Sequence, residues 1–170
     1  MKIRVAYPFA HKFRISSPFG ERIDPKSGKK KMHNGIDFSV PVGTPIRAVL
    51  DGSVMISGWE NRDNHEQGYG QRIWQECSIG KYKLLVVYAH LSEIHKHDGE
   101  WCPETSIIGL TGNTGKSTGP HLHLGARIKD TNEFVDLEFE DDQETPYHDF
   151  KEVKYKPDSY IKGDKNEQTI

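Results

Sequence analysis

Thr111-Gly-Asn-Thr-Gly-Lys-Ser-Thr-Gly-Pro-His-Leu-His-Leu-Gly125 changes character midway, and that change decides the fold class. Residues 111–120 are mostly glycine, threonine, serine, asparagine and proline, a composition that turns the chain and lets backbone approach a ligand closely. Residues 121–124 then alternate His-Leu-His-Leu, the period-two signature of a strand with one buried face. His121 and His123 therefore project to one side, roughly 7 Å apart along the strand, with Leu122 and Leu124 in the core. Two imidazoles at the mouth of a Gly-rich loop form a candidate metal or catalytic site, although such a pair can equally be a solvated strand face. His95 and His97 have the same spacing but lie in a polar segment without apolar alternation, and read as exposed loop. A phosphate-binding loop fails on two counts: Leu110 stands where that pattern needs glycine, and a strand follows rather than a helix N-terminus.

Outward from this stretch the chain is a series of short β runs. Residues 71–79 and 82–89 read as a strand pair around Ser78-Ile-Gly-Lys. His90 closes the second of these strands, with Tyr88 expected on its face. Residues 41–58 read as two runs joined by an Asp51-Gly52 hairpin, followed by a polar loop from Trp59 to Gly70 in which His65 is solvated. Residues 92–105 read as a charged loop, 107–110 as a strand, and 126–128 and 134–137 as a final pair turning through Lys129–Asn132. Residues 1–20 are short apolar pieces broken by Pro8, Pro18 and Gly20 and read as an arm leading into a first strand or turn, and 24–31 read as an exposed basic loop. No long amphipathic helix occurs. The expectation is an all-β domain of compact antiparallel sheets and many short strands.

Within 32–40, Met-His-Asn-Gly-Ile-Asp-Phe-Ser-Val, His33 and Asp37 are four apart. A straight strand would separate them by about 13 Å, too far to share an ion. The Asn34-Gly35 turn signal between them offers a bend that brings imidazole and carboxylate together.

Length and charge bound the rest. A chain of 170 residues is one core with a tail. The formal net charge of −2 argues against a general nucleic-acid binder, and no stretch is apolar for long enough to span a bilayer. Arg4, Pro8 and His11 interrupt the N-terminus, so no signal peptide is expected. Two cysteines, Cys77 and Cys102, do not make a disulfide scaffold and are read as free thiols. Eight acids and no Lys or Arg fall between Glu133 and Asp149, which suggests a domain over 1–140 and an acidic, polar tail over 141–170.

His33, Asp37 and one histidine of the later pair make an N, N, O donor set with room for water, the composition of a catalytic zinc site. Met32-His-Asn-Gly-Ile-Asp37, Tyr88-Ala-His-Leu-Ser92, and Gly112-Asn-Thr-Gly115 followed by Gly119-Pro-His-Leu-His123 together resemble the lysostaphin/LytM-type peptidoglycan metallo-endopeptidases. Pro41-Val-Gly-Thr-Pro-Ile-Arg-Ala and Asp51-Gly-Ser-Val extend the likeness, which covers about 15–138. The resemblance implies a duplicated hybrid motif fold (a barrel-sandwich hybrid), zinc on His33, Asp37 and His123, and His90 and His121 as catalytic pair. It implies as substrate the stem or cross-bridge peptide of bacterial peptidoglycan. Some relatives have lost metal ligands and act as activators; all five positions are intact here. Spacing alone does not say which of His121 and His123 is the ligand, nor which of His90 and His121 is the base. Without a leader, delivery to the wall is expected from a phage lysis system or virion, the acidic tail being a candidate docking segment for tail proteins. The competing expectation is a non-catalytic zinc-containing wall-binding or assembly protein.

Overall fold

A computed structural model describes residues 1–23 and 28–140. The tail expected over 141–170, its boundary with the domain and the first part of the basic loop lie outside the described residues. Among those described there are fourteen strands and no helix. β13 (His121–Ile128) is the pivot of the main sheet, because it changes partner halfway along. On one side it pairs with β9 (Tyr82–Ala89) from His123 to Ile128. On the other, His121–Leu124 pair with β5 (Ile36–Ser39) and Ala126–Arg127 with β14 (Phe134–Phe139). The switch falls at Gly125, where a Cβ would lie 2.8 Å from the Asn34 carbonyl oxygen. Only glycine lets the chain pass that closely.

β8 (Gln71–Ile79) continues the sheet beyond β9, joined by the two-residue loop Gly80-Lys81 with Gly80 at φ 55°. β7 (Gly52–Trp59) and the short β11 (Trp101–Cys102) follow, and β2 (Ile15–Ser17) extends β5. At the far edge β1 (Lys2–Val5) lies parallel to β14, Lys2 opposite Asp136 and Val5 opposite Phe139. Among the described residues it is the one parallel pair, the other ladders being antiparallel. A second sheet, in the order β10 (Leu91–Ile94), β12 (Ile107–Thr111), β6 (Pro45–Arg47), buries Leu91, Ile108 and Ile46 against the main sheet. β3 (Gly20–Ile23) and β4 (Lys30–His33) form a separate hairpin beside the site.

The core follows the period-two pattern. Leu84, Val86 and Tyr88 of β9 meet Leu122, Leu124 and Ala126 of β13, all fully buried. Each such large aliphatic side chain is worth about 1.5–3 kcal/mol of burial. Tyr7, Phe9, Phe38 and Phe139 add edge-to-face contacts at centroid distances of 5.4–5.9 Å. Gln75 is a wholly buried polar residue in this core, and it is satisfied. Its Nε2 donates to the Leu50 carbonyl (2.9 Å) and its Oε1 accepts from the Tyr88 hydroxyl (3.0 Å), which in turn accepts from the Val49 amide (2.9 Å).

Four sequence expectations change. Asp51-Gly52 joins no hairpin, since β6 belongs to the second sheet and β7 to the first. Gly52 is needed because β8 crowds it: a Cβ there would lie 2.3 Å from the Glu76 carbonyl oxygen. The segment 92–105 contains β10 and β11 rather than loop alone, and Lys30 and Lys31 of the basic stretch are in β4. Tyr88 and His90 do not share a face. Tyr88 points into the core, whereas His90, at φ 62°, leaves the strand alternation and is turned toward the cleft. Cys77 and Cys102 are buried free thiols as expected. Each pairs with Gly52 from opposite sides, so their Cα atoms are two strand spacings apart, about 9.6 Å, beyond disulfide reach.

Candidate metal centre

The bend expected at Asn34-Gly35 exists and carries the site. β4 ends at His33 in the small hairpin, and β5 begins at Ile36 in the main sheet. Asp37 on β5 lies directly opposite His123 on β13. Their side chains meet, Asp37 Oδ1 to His123 Nδ1 at 2.8 Å, and His33 Nε2 completes a triangle at 3.2 Å from that oxygen and 3.3 Å from that nitrogen. Three donor atoms held about 2.0–2.1 Å from a tetrahedral ion would be roughly 3.3 Å apart, so the residues present fit a zinc ion. Their protonation fits as well. The Pro18 carbonyl (2.8 Å) accepts the Nδ1 proton of His33, leaving a lone pair at Nε2. Asp37 is partly desolvated, which opposes ionisation, but the two imidazoles beside it, His123 and then His33, prevail and hold its carboxyl far below the usual range.

Packing fixes His123 more than hydrogen bonding does. Its Nε2 is buried and has no hydrogen-bond partner among the described residues. Gly35 lies against the ring, so close that a Cβ there would be 2.7 Å from Cε1 and 2.8 Å from Nε2. The glycine read as a turn signal is thus required for close approach too.

His90 and His121 stand beside the triangle, their rings 4.4 Å apart, and His121 Nε2 is 4.0 Å from Asp37 Oδ1. Each ring has Nδ1 at a backbone carbonyl, Thr114 O for His90 (2.7 Å) and Gly119 O for His121 (2.8 Å), so that Nε2 is the nitrogen left for other contacts. Ser117 Oγ also lies 3.0 Å from His121 Nδ1. The Gly-rich loop therefore positions both rings through its own backbone. Burial, and then the neighbouring charge of His121, lower the His90 pKa to about 4, so that His90 is neutral at pH 7. All five residues line one cleft of about 300 Å³.

His95 and His97 do not reach this cleft; both are exposed, and His95 pairs with Glu93 at 3.2 Å. Sequence reasoning missed Tyr69, whose ring lies 5.5 Å from that of His123 in the cleft wall. It sits in the polar 59–70 segment, which is folded onto the Gly-rich loop. Gly115 N donates to His65 O (2.9 Å), Lys116 N to Gly68 O (2.9 Å), and the Tyr69 amide to the Glu60 carboxylate. His65 is exposed but stacks on Trp59 at 3.6 Å.

An N, N, O triangle with two further imidazoles facing it, on an all-β frame, is the kind of centre that hydrolytic metalloenzymes use. The family model of Peptidase family M23 matches residues 31–137, and the chain belongs to that family. It is 42% identical over 115 residues to the DD-carboxypeptidase/endopeptidase Mpg of Neisseria meningitidis, covering 68% of this chain and 24% of that protein. The peptidoglycan DD-endopeptidase ShyA of Vibrio cholerae is 37% identical over 118 residues, covering 69% and 25%. Among solved structures, the catalytic domain of the antimicrobial peptidase lysostaphin from Staphylococcus simulans superposes with a TM-score of 0.62 at 30% identity, over 73% of this chain and 88% of that one. The chain thus spans about a quarter of the length of the curated relatives it matches.

Proposed function

We propose that this chain is a zinc-dependent endopeptidase that hydrolyses peptide bonds in the stem or cross-bridge peptides of bacterial peptidoglycan. The observation that carries the reading is the pairing of a three-donor triangle with two rings in the same cleft whose Nδ1 atoms are backed by carbonyls. Kinship with a peptidoglycan DD-endopeptidase and with lysostaphin supports the substrate.

His33, Asp37 and His123 would hold the zinc, which when bound supplies an acidified water and polarises the scissile carbonyl. The chain's own groups move the proton. His90, neutral and donating from Nδ1 to Thr114, presents a lone pair at Nε2 and takes a proton from the attacking water, then returns it to the departing amine nitrogen. His121 donates from Nε2 to the carbonyl oxygen as that oxygen gains charge. Tyr69 and the Gly-rich loop form the walls of the cleft and exclude water from one side of an extended peptide.

The test is digestion of purified peptidoglycan by zinc-loaded protein, read as newly released amino groups. His90→Ala and His121→Ala should keep one zinc per chain and lose about 10²–10⁴-fold in turnover, the worth of positioned acid–base groups. Wall binding without any release of amino groups would instead establish the non-catalytic reading. Action at the wall after delivery by a phage lysis system or virion is part of the same proposal, and detection of the protein in purified virions checks it.

A further inference from the structure

The β3–β4 hairpin sets two cations side by side at the cleft. Gly20 lies opposite His33, and two positions further out Arg22 lies opposite Lys31. Residues two apart share a strand face, so the Arg22–Lys31 pair stands about 6–7 Å along the hairpin from the His33 ligand. Both side chains line the same cleft as the metal triangle. Like charges directly opposite on a β ladder repel, and the protein offers little to offset this. Arg22 donates to Ser17 Oγ at 2.5 Å and lies 4.0 Å from Asp37 Oδ2, whose carboxylate is already engaged by His33 and His123. Lys31 has no ion pair among the described residues. By contrast Lys30, its neighbour on the other face, pairs with Glu21 at 3.5 Å. On the opposite wall Lys116 is a third cation, and Glu60 is the single carboxylate of the lining besides Asp37.

We infer that Arg22 and Lys31 form a carboxylate-binding subsite, and that the cleft selects peptides carrying a free carboxylate beside the scissile bond over uncharged ones such as oligoglycine. The inference rests on the peptidase reading above and specifies its substrate class. A carboxylate between the two cations would relieve their repulsion and accept hydrogen bonds from both. It can come from the side chain of the residue flanking the bond or from a chain terminus.

Four synthetic peptides with one D-alanyl bond separate these sources, with the flanking side-chain carboxylate free or amidated and the C-terminus free or amidated. Hydrolysis by zinc-loaded protein gives kcat/KM. Binding of non-hydrolysable versions by calorimetry, at low and moderate salt, gives affinity without turnover. Amidating the recognised carboxylate should weaken binding to wild type roughly two- to fivefold, the range for a partly exposed charge pair, and less at higher salt. Lys31→Gln should show that same loss on the carboxylate peptide, match wild type on the amidated one, and raise KM while leaving kcat. Lys30→Gln should behave as wild type. If Lys31→Gln weakens charged and amidated peptides equally, or if amidation does not affect wild type, the subsite is refuted. If no peptide and no peptidoglycan is hydrolysed, the peptidase reading fails, while the binding series still decides the subsite.

Discussion

Replacing Gly35 with alanine tests whether packing against that residue is what aims His123 at the metal position. The new Cβ would lie 2.6 Å from the Leu124 carbonyl oxygen and 2.7 Å from His123 Cε1. Normal heavy-atom contact begins near 3.5 Å, so relief demands a shift of about 0.8 Å. The backbone of β13 cannot supply it, because Leu124 is paired on both sides, with Ile36 and with Tyr88. The His123 ring must therefore move, and Nδ1 leaves its position 2.8 Å from Asp37 Oδ1. Overpacking of this kind costs about 1–3 kcal/mol of stability. Disturbing what orients a metal ligand costs about 10–100-fold in metal affinity. Urea unfolding in the presence of a chelator measures the first effect, and competition with a chromophoric zinc chelator the second. A Gly35→Ala protein with wild-type zinc affinity would refute the argument, whatever its stability.

Three further outcomes are expected. His33→Ala should abolish stoichiometric zinc binding and Asp37→Ala should weaken it, whereas His95→Ala and His97→Ala should leave zinc content and hydrolysis intact; metal analysis of dialysed protein checks all four. Burial, and then the nearby Cys102, push the Cys77 thiol up to about 12, so neither cysteine should react with a thiol reagent at pH 8 until the protein is unfolded. Because the folded pKa of Cys77 is the raised one, its contribution to stability is complete below about pH 9 and is lost as pH climbs toward 12; Cys77→Ala should flatten that alkaline slope in unfolding curves.

The strand framework was legible because apolar alternation survives in single segments: β8, β9 and β13 lie where the residues alternate. His33 and Asp37 could be joined from sequence through the Asn34-Gly35 bend, but the assignment of His123 over His121 came from resemblance. What separates those two is the register of β13, which puts His123 opposite Asp37 and His121 opposite Ser39. The left-handed backbone at His90 has no signature in a non-glycine residue, so its departure from the face of Tyr88 was invisible. Tyr69 was hidden in a segment whose composition reads as solvated loop; its order comes from backbone hydrogen bonds to the Gly-rich loop forty-odd residues away. Arg22 and Lys31 became neighbours only through the β3–β4 ladder.

The parallel docking of β1 on β14 has a consequence for how the chain acquires its shape. Lys2 and Asp136 come from opposite ends of the described domain, yet they sit side by side. No local contact can form that ladder early; closing so long a loop delays it until nearly all the other strands have assembled. Before that ladder closes, β1 and the outer edge of β14 both lack partners. Until then both edges offer unpaired backbone to other chains. The seating of β1 is thus expected late in folding, and variants that weaken Ile3 or Val5 should mainly unfold faster and aggregate more at high concentration, while the metal triangle still forms.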